Sequence, residues 1–329
     1  MIIKIEELKK LLKQALLKKF SEKDAELIAE AIMFGELSGK TSHGILRLFN
    51  GEYGILNQNY EDEPEIIKKT KVSTLINGNG NPGMLLGGLA TEEVILLAKE
   101  SGMGIVGTKG SFSSSGCLSF YLEKIAKENF IAIIMSQAAS SIAPFGSIEP
   151  LFGTNPISFG IPANPNPLIF DMSTAAITFG AVLEAKALGQ KLHENTAIDI
   201  KGEMTTDPDE AIEGSLLPFD KSYKGSGLAM MVEILAGILP SASFANQNDS
   251  DGWGNLFIAI SPNLLSDVDD FKQKVEKLLS IVRNSKTKNN SKIRIPGEAT
   301  IIQKELSLER GTVDVNEELI EKVKKFINE

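Results

Sequence analysis

The chain has 329 residues, 42% of them hydrophobic, with 34 Lys and Arg against 43 Asp and Glu and a formal charge of −9. Length and composition suit a globular protein of two or three structural domains, and the acidic balance argues against nucleic acid or an anionic membrane as main partner, since both need a basic surface. One cysteine, Cys117, cannot make an internal disulfide, and two histidines, His43 and His193, leave too few ligands for a His/Cys zinc site. The expectation is a cytoplasmic protein without a metal.

The start of the chain alternates charged and apolar residues and lacks the unbroken apolar run of a signal peptide. Ile5, Leu8, Leu12 and Leu16 stand at helical spacing over residues 5–19. Ser21 followed by Asp24 resembles a capping box, and Leu27, Ile28, Ala31 and Ile32 then share one helical face. A third helix is expected from Thr41-Ser42, carrying Ile45, Leu46 and Leu48. A charged, proline-containing stretch, residues 61–71, links this region to apolar runs suited to strands at 72–76, 105–106, 131–135, 157–161, 168–170 and 257–260. Helical patterns at 91–100 and 118–128 fall between them, which points to an α/β sheet. The most apolar long stretch, residues 227–239, contains Glu233, is too short to span a bilayer, and reads as a buried core helix. Residues 268–282 suit an amphipathic helix, and the polar segment 283–292 a mobile loop.

Several features could carry chemistry. Gly78-Asn79-Gly80-Asn81-Pro82-Gly83 matches G-x-G-x-x-G between a strand and a helix, with Glu100 about twenty residues on, a pattern in which backbone amides approach a pyrophosphate. Pro82 removes one such amide, and the same residues also make a plain turn. In Thr41-Ser42-His43-Gly44-Ile45-Leu46-Arg47, a helix capped at Thr41 or Ser42 puts His43 in its first turn and Arg47 four residues later on the same face. A proton-transfer group then stands beside a guanidinium able to grip a carboxylate, and the helix dipole lowers the His43 pKa. Equally, a helix start can carry an exposed histidine and a solvated arginine. Asp171-Met172-Ser173-Thr174 follows an expected strand, where open α/β sheets place ligand contacts, or else caps the next helix. Tyr223-Lys224-Gly225-Ser226-Gly227 suits a phosphate cradle or a glycine-rich turn with a surface lysine, and lacks the upstream glycine of a Walker A loop. Arg294-Ile295-Pro296-Gly297-Glu298 is a rigid charged turn, and His193 reads as a surface residue.

Taken together, Ser42-His43-Gly44 with Arg47, Gly153-Thr154-Asn155-Pro156, Asp171-Met172-Ser173, Tyr223-Lys224-Gly225-Ser226-Gly227 and Pro296-Gly297-Glu298 stand in an order and spacing similar to the type-2 malate/L-lactate dehydrogenases. The resemblance covers nearly the whole chain. The Asp171 and Tyr223 motifs, with Asn248-Asp249-Ser250-Asp251 ahead of the 257–260 strand, look closest to the 2,3-diketo-L-gulonate reductase branch. The resemblance implies an α/β fold with a helical N-terminal region (residues 1–70), a substrate and dimer domain (71–118 with 255–329) and an inserted, non-Rossmann NAD(P)-binding domain (119–254). The motif at 78–83 is then a decoy turn. A cytoplasmic homodimer is implied, using NAD or NADP to interconvert a small 2-oxo acid, of malate/lactate or diketogulonate type, and its 2-hydroxy acid. His43 is the implied proton donor, with Ser42, Arg47 and Asn155 as substrate contacts. Ser136, Asp171, Met172, Ser173, Tyr223, Lys224, Gly297 and Glu298 are the implied cofactor contacts, the phosphates resting on Lys224 and on helix starts near Ser173 and Gly225. There is one departure. Many members carry an Asn-His pair in the segment matching 108–113, and Ser111 stands where their histidine does, which leaves His43 alone for proton transfer. Reduction of a cyclic imino acid, or a nucleotide-binding protein without turnover, stays open at this point.

Overall fold

A computed structural model describes residues 1–246, 252–288 and 291–329. The chain opens with β1 (Ile2–Lys4), α1 (Ile5–Leu16) and α2 (Glu22–Leu37). The α1 periodicity turns Ile5, Leu8, Leu12, Ala15 and Leu16 inward. Ser21 caps α2 as expected, its Oγ accepting the Asp24 amide at 3.2 Å. The expected third helix does not form. Two single 3-10 turns, Thr41–His43 and Ile45–Leu48, stand in its place, because Gly44 between them takes φ −98° and ψ −139°, outside helical space.

Residues 61–71 are more than a link: they contain β2 (Glu65–Lys69), an exposed edge strand whose charged residues suit that position. There follow β3 (Ser73–Asn77), α3 (Gly83–Ser101), β4 (Met103–Ser111), α4 (Leu118–Lys127), β5 (Ile131–Ser136), β6 (Ile157–Ile161) and β7 (Leu168–Met172). A smaller region holds α5 (Phe179–Ala187), β8 (Ala197–Ile198), β9 (Met204–Thr205), α6 (Pro208–Glu213), β10 (Ser215–Leu216) and α7 (Tyr223–Val232). The chain closes with β11 (Trp253–Ile260), α8 (Val268–Arg283), α9 (Glu298–Arg310), β12 (Thr312–Asp314) and α10 (Glu317–Asn328).

The main sheet has the order β2-β3-β4-β11-β5-β6-β7, and of its neighbouring pairs β3 and β4 alone run parallel. A Rossmann sheet is mostly parallel, so this is a different α/β fold. The sheet runs across residue 118, where β11 joins β4 to β5. Residues Ile142, Phe152, Val182, Ala197, Leu216 and Ala229 form a separate small core under the three-stranded sheet β10-β8-β9. The chain ends meet: Ile3 pairs with Val313, and Val313, Val315, Ile320 and Val323 share one buried cluster with α1 and α2.

Residues 227–239 are not the buried core helix expected. α7 stops at Val232 and continues as a turn of π-helix, Glu233–Ile238. Val232 and Ala236 pack inward, whereas Met230, Met231, Ile234, Ile238 and Leu239 are exposed. Uniform apolarity had concealed which face was covered. The motif at 78–83 does join a strand to a helix, yet its amides are spent internally. Gly78 donates to Lys109 O, Gly80 to Gly110 O and Gly83 to Ser113 Oγ. A Cβ at Gly83 would meet Ser113 O at 2.6 Å, so the helix end of this turn is closely packed. No described helix is long and apolar enough to cross a membrane.

Candidate active site

Three parts of the chain converge around His43. After α2 the backbone turns through Lys40 into the two 3-10 turns bearing Ser42, His43 and Arg47, while the start of α4 supplies Ser119 and the end of β7 supplies Asp171. Hydrogen bonds within the turn hold it: His43 N donates to Lys40 O at 2.8 Å and Arg47 Nε to Ser42 O at 2.7 Å. Ser42 Oγ lies 3.0 Å from His43 Nδ1, which leaves Nε2 as the ring nitrogen without a partner among the described residues. The first turn of α5 passes beside this segment, since a Cβ on Gly180 would touch Ser42 Cβ at 3.5 Å.

His43 is half-buried, and its pKa is pushed down to about 4. Loss of solvent is the largest cause, followed by the Arg47 guanidinium; Asp171 opposes the shift and Lys40 adds to it. The direction matches expectation but the cause does not, because no α-helix starts here to supply a dipole. A neutral imidazole at pH 7 is set to accept a proton before it donates one. Arg47 is half-buried too, and burial lowers its pKa. Its one hydrogen bond goes to a carbonyl, and among the described residues no carboxylate pairs with it. A poorly solvated cation without a counter-ion is costly unless an anion arrives to meet it.

Asp171 is fully engaged inside the protein. One oxygen accepts from Ser119 N at 3.1 Å and Ser119 Oγ at 2.7 Å, and the other from Ser158 Oγ at 2.7 Å. Lys40 Nζ stands 3.8 Å from the first oxygen and donates to Ser119 Oγ at 3.1 Å. Lys40, Ser119 and Ser158 were not singled out from the sequence. A lysine next to a motif carries no signal of its own, and the two serines come from distant elements.

Ser42, His43, Arg47 and Asp171 are thus brought together, and several other expected residues are not. Asn155 is completely buried, donating to Ala229 O at 3.1 Å and to Glu233 Oε2 at 2.6 Å, so this conformation does not offer it to a substrate. Ser136 is buried, its Oγ donating to Ser115 Oγ at 3.5 Å and its amide to Pro156 O at 3.2 Å. Ser111 is sealed in its own turn, bonded to the backbone of Ser113, and is in no position to replace a histidine. Met172 and Ser173 are half-buried, with Ser173 Oγ donating to Thr154 O at 2.9 Å.

Both helix starts expected to hold phosphates need correction. No helix begins at Ser173, because α5 is capped by Thr178. At α7 the Lys224 amide is taken by Ser222 Oγ at 3.1 Å and the Gly225 amide by Asp220 Oδ1 at 3.0 Å. What α7 does offer is the exposed Lys224 side chain, without an acidic partner among the described residues, beside the Tyr223 ring, 67% exposed. Gly297, at φ 83°, caps α9 against Ile169, and Glu298 is held by Arg283 at 2.7 Å, which keeps its carboxyl below the usual range. Glu298 lines a cavity of about 720 Å³ between the 164–168 turn, α8 and α9, a cavity that includes none of His43, Arg47 or Asp171. No group of His, Cys, Asp and Glu that could hold a metal occurs among the described residues.

Known proteins resemble the chain over its whole length. The sequence profile described as malate/L-lactate dehydrogenase matches residues 3–324. The L-sulfolactate dehydrogenase of Methanocaldococcus jannaschii is 34% identical, the match covering 100% of this chain and 97% of that protein. Its solved structure superimposes with a TM-score of 0.87 at 33% identity, again over 100% of this chain and 97% of the other. The malate/(S)-sulfolactate dehydrogenase of Methanothermus fervidus is 35% identical over 94% of this chain and 92% of its own. Two further relatives carry a cofactor in their names. The (2R)-3-sulfolactate dehydrogenase (NADP(+)) of Chromohalobacter salexigens is 32% identical over 83% of each chain. The ureidoglycolate dehydrogenase (NAD(+)) of Escherichia coli is 30% identical over 78% of this chain and 75% of its own.

Proposed function

The chain belongs to the malate/L-lactate dehydrogenase family of NAD(P)-dependent enzymes, and from that premise we propose that it transfers a hydride between the nicotinamide cofactor and a small 2-oxo acid, giving the 2-hydroxy acid. The observation that carries this reading is Arg47, a half-buried guanidinium without a carboxylate partner among the described residues, whose charge acts directly on His43. The carboxylate of the 2-oxo acid binds Arg47, and the oxygen of the reacting carbonyl meets His43 Nε2. Binding offsets the Arg47 charge, which after loss of solvent is the second cause that lowers the His43 pKa, while Asp171 goes on favouring the imidazolium. Substrate capture therefore shifts His43 toward the protonated form from which a proton is delivered to the forming alkoxide. The cofactor supplies the hydride, and the protein supplies position and electrostatics. Tyr223 and Lys224 fit it best, offering an open ring face and a cation, unpaired among the described residues, for a phosphate.

The segment 119–254 is our proposed cofactor unit; the separate small core between Ile142 and Ala229 supports it, while its strands β5, β6 and β7 extend the main sheet. A homodimer is supported by the exposed apolar face of Met230, Met231, Ile234, Ile238 and Leu239. The substrate is of malate/lactate or 2,3-diketogulonate type; the stretch Asn248-Asp249-Ser250-Asp251 that points to the second lies outside the described residues.

The purified protein, given NADH or NADPH with pyruvate, oxaloacetate, 2,3-diketogulonate or a cyclic imine, should consume reduced nicotinamide with at least one open-chain 2-oxo acid. Turnover of the cyclic imine alone would replace the substrate class. Tight cofactor binding without any turnover would reduce the function to nucleotide binding.

A further inference from the structure

Glu36 is a buried ionisable group that the chemistry above leaves unused. It lies near the end of α2, 6% exposed, and forms no ion pair among the described residues. Burial pushes its carboxyl up to about 7. Its Oε1 accepts the Ile45 amide at 2.8 Å. In a continuous helix that amide would bond to Thr41 O, but Gly44 N takes Thr41 O at 3.1 Å and Arg47 Nε takes Ser42 O. Glu36 thus satisfies the donor that the break at Gly44 leaves over. The packing is equally close: a Cβ on Gly44 would overlap Glu36 Oε1, and one on Gly35 would lie 2.8 Å from His43 O.

We propose that Glu36 is the positioning residue of the His43 turn, its carboxylate fixing the Ile45 amide and so setting where His43 and Arg47 stand relative to Asp171 and Lys40. An apolar residue would pack at this depth without the desolvation cost of a carboxylate, but it could not accept the amide. Gly35 and Glu36, adjacent on a capped helix, form a bed for a segment whose own secondary structure is limited to two short 3-10 turns. For its kinetic consequence, though not for its geometry, the proposal rests on the function proposed above.

The chain has two histidines, and His193 is exposed, so His43 can be titrated by imidazole NMR against an internal control. Glu36→Gln keeps an oxygen for the Ile45 amide; it should leave the His43 midpoint well below 6.5 and restore turnover that Glu36→Leu loses. Glu36→Leu, and Gly44→Ala, which displaces the carboxylate, should move the midpoint up toward 6.5. Both should lower kcat by about 10- to 100-fold, with KM for the cofactor unchanged. A native circular dichroism spectrum and a cooperative urea transition report that each variant is folded; if Glu36→Leu does not fold, Gly44→Ala decides. A native His43 midpoint in the leucine or alanine variant overturns the proposal. Native protein without turnover on any substrate would count against the proposed function, and the NMR comparison would still decide the role of Glu36.

Discussion

In the proposed reaction two side chains, His43 and Arg47, carry the chemistry, and their neighbours set its terms. Arg47→Lys keeps the charge but loses the planar fork, and charge-assisted bonds of this kind contribute about 1.5–3 kcal/mol. Steady-state kinetics at saturating cofactor should therefore show kcat/KM for the 2-oxo acid falling about 10- to 150-fold, mainly through KM. A fall confined to the cofactor KM would remove Arg47 from the substrate site. Glu36 makes a separate prediction in stability. Its folded pKa of about 7 lies above the ordinary 4.5, so between these values the unfolded chain has lost a proton that the folded chain keeps. Folded protein therefore loses stability as pH rises across that window, by on the order of 3 kcal/mol in all. His43, lowered from 6.5 to about 4, acts in the opposite sense and adds stability as pH rises from 4 to 6.5. Native protein partly conceals both effects. Glu36→Gln should match native near pH 4.5 and be the more stable protein at pH 8, measured by urea unfolding; an equal gap at both pH values would contradict the assignment. At this scale the sequence pointed to His43, Arg47 and Asp171 because they sit in contiguous motifs. It was silent on Lys40, Ser119 and Glu36, whose roles arise from contacts between elements.

Among the elements, strands with short apolar runs, such as β5 and β11, were legible from sequence, as were α1 and α8 from their periodicity and α2 from its cap and periodicity. β2 was not, because a fully exposed edge strand buries nothing and leaves no alternation to read. The turn at 41–48 was misread as a helix because a glycine's unusual ψ is invisible in a pattern of apolar residues. The strand-turn-helix at 78–83 and the start of α7 offer rival cofactor sites that two variants separate. Lys224→Ala should weaken NADH or NADPH binding about tenfold, as expected for loss of one partly exposed phosphate contact. Gly80→Ala should leave binding intact and cost about 1–2 kcal/mol of stability, since Gly80 has φ 84° with open space around its Cα. Fluorescence titration of both variants checks the pair, and the reverse pattern would restore the glycine motif as the binding site.

At the scale of the whole molecule, the ends of the chain build one layer. α10 and β12 complete the core of α1 and α2, and α2 in turn beds the His43 turn, so the C-terminus supports the site without touching it. Sequence could not show this closure, since each end reads as an ordinary amphipathic segment. Ile320 is fully buried in the shared core, and Ile320→Ala should cost about 2–5 kcal/mol in a single unfolding transition that includes the N-terminal helices. A separate early transition would show that the C-terminal helix is an independent appendage. We propose that this scaffold makes His43 the proton-transfer group of a 2-oxo acid reductase, with Ser111 in no position to share the task. The most direct test is the rate of NADH or NADPH oxidation with the best 2-oxo acid, native against His43→Ala, at matched cofactor occupancy. Loss of about 100- to 10,000-fold in kcat with cofactor affinity kept is the predicted result, and a variant that turns over at the native rate would contradict it.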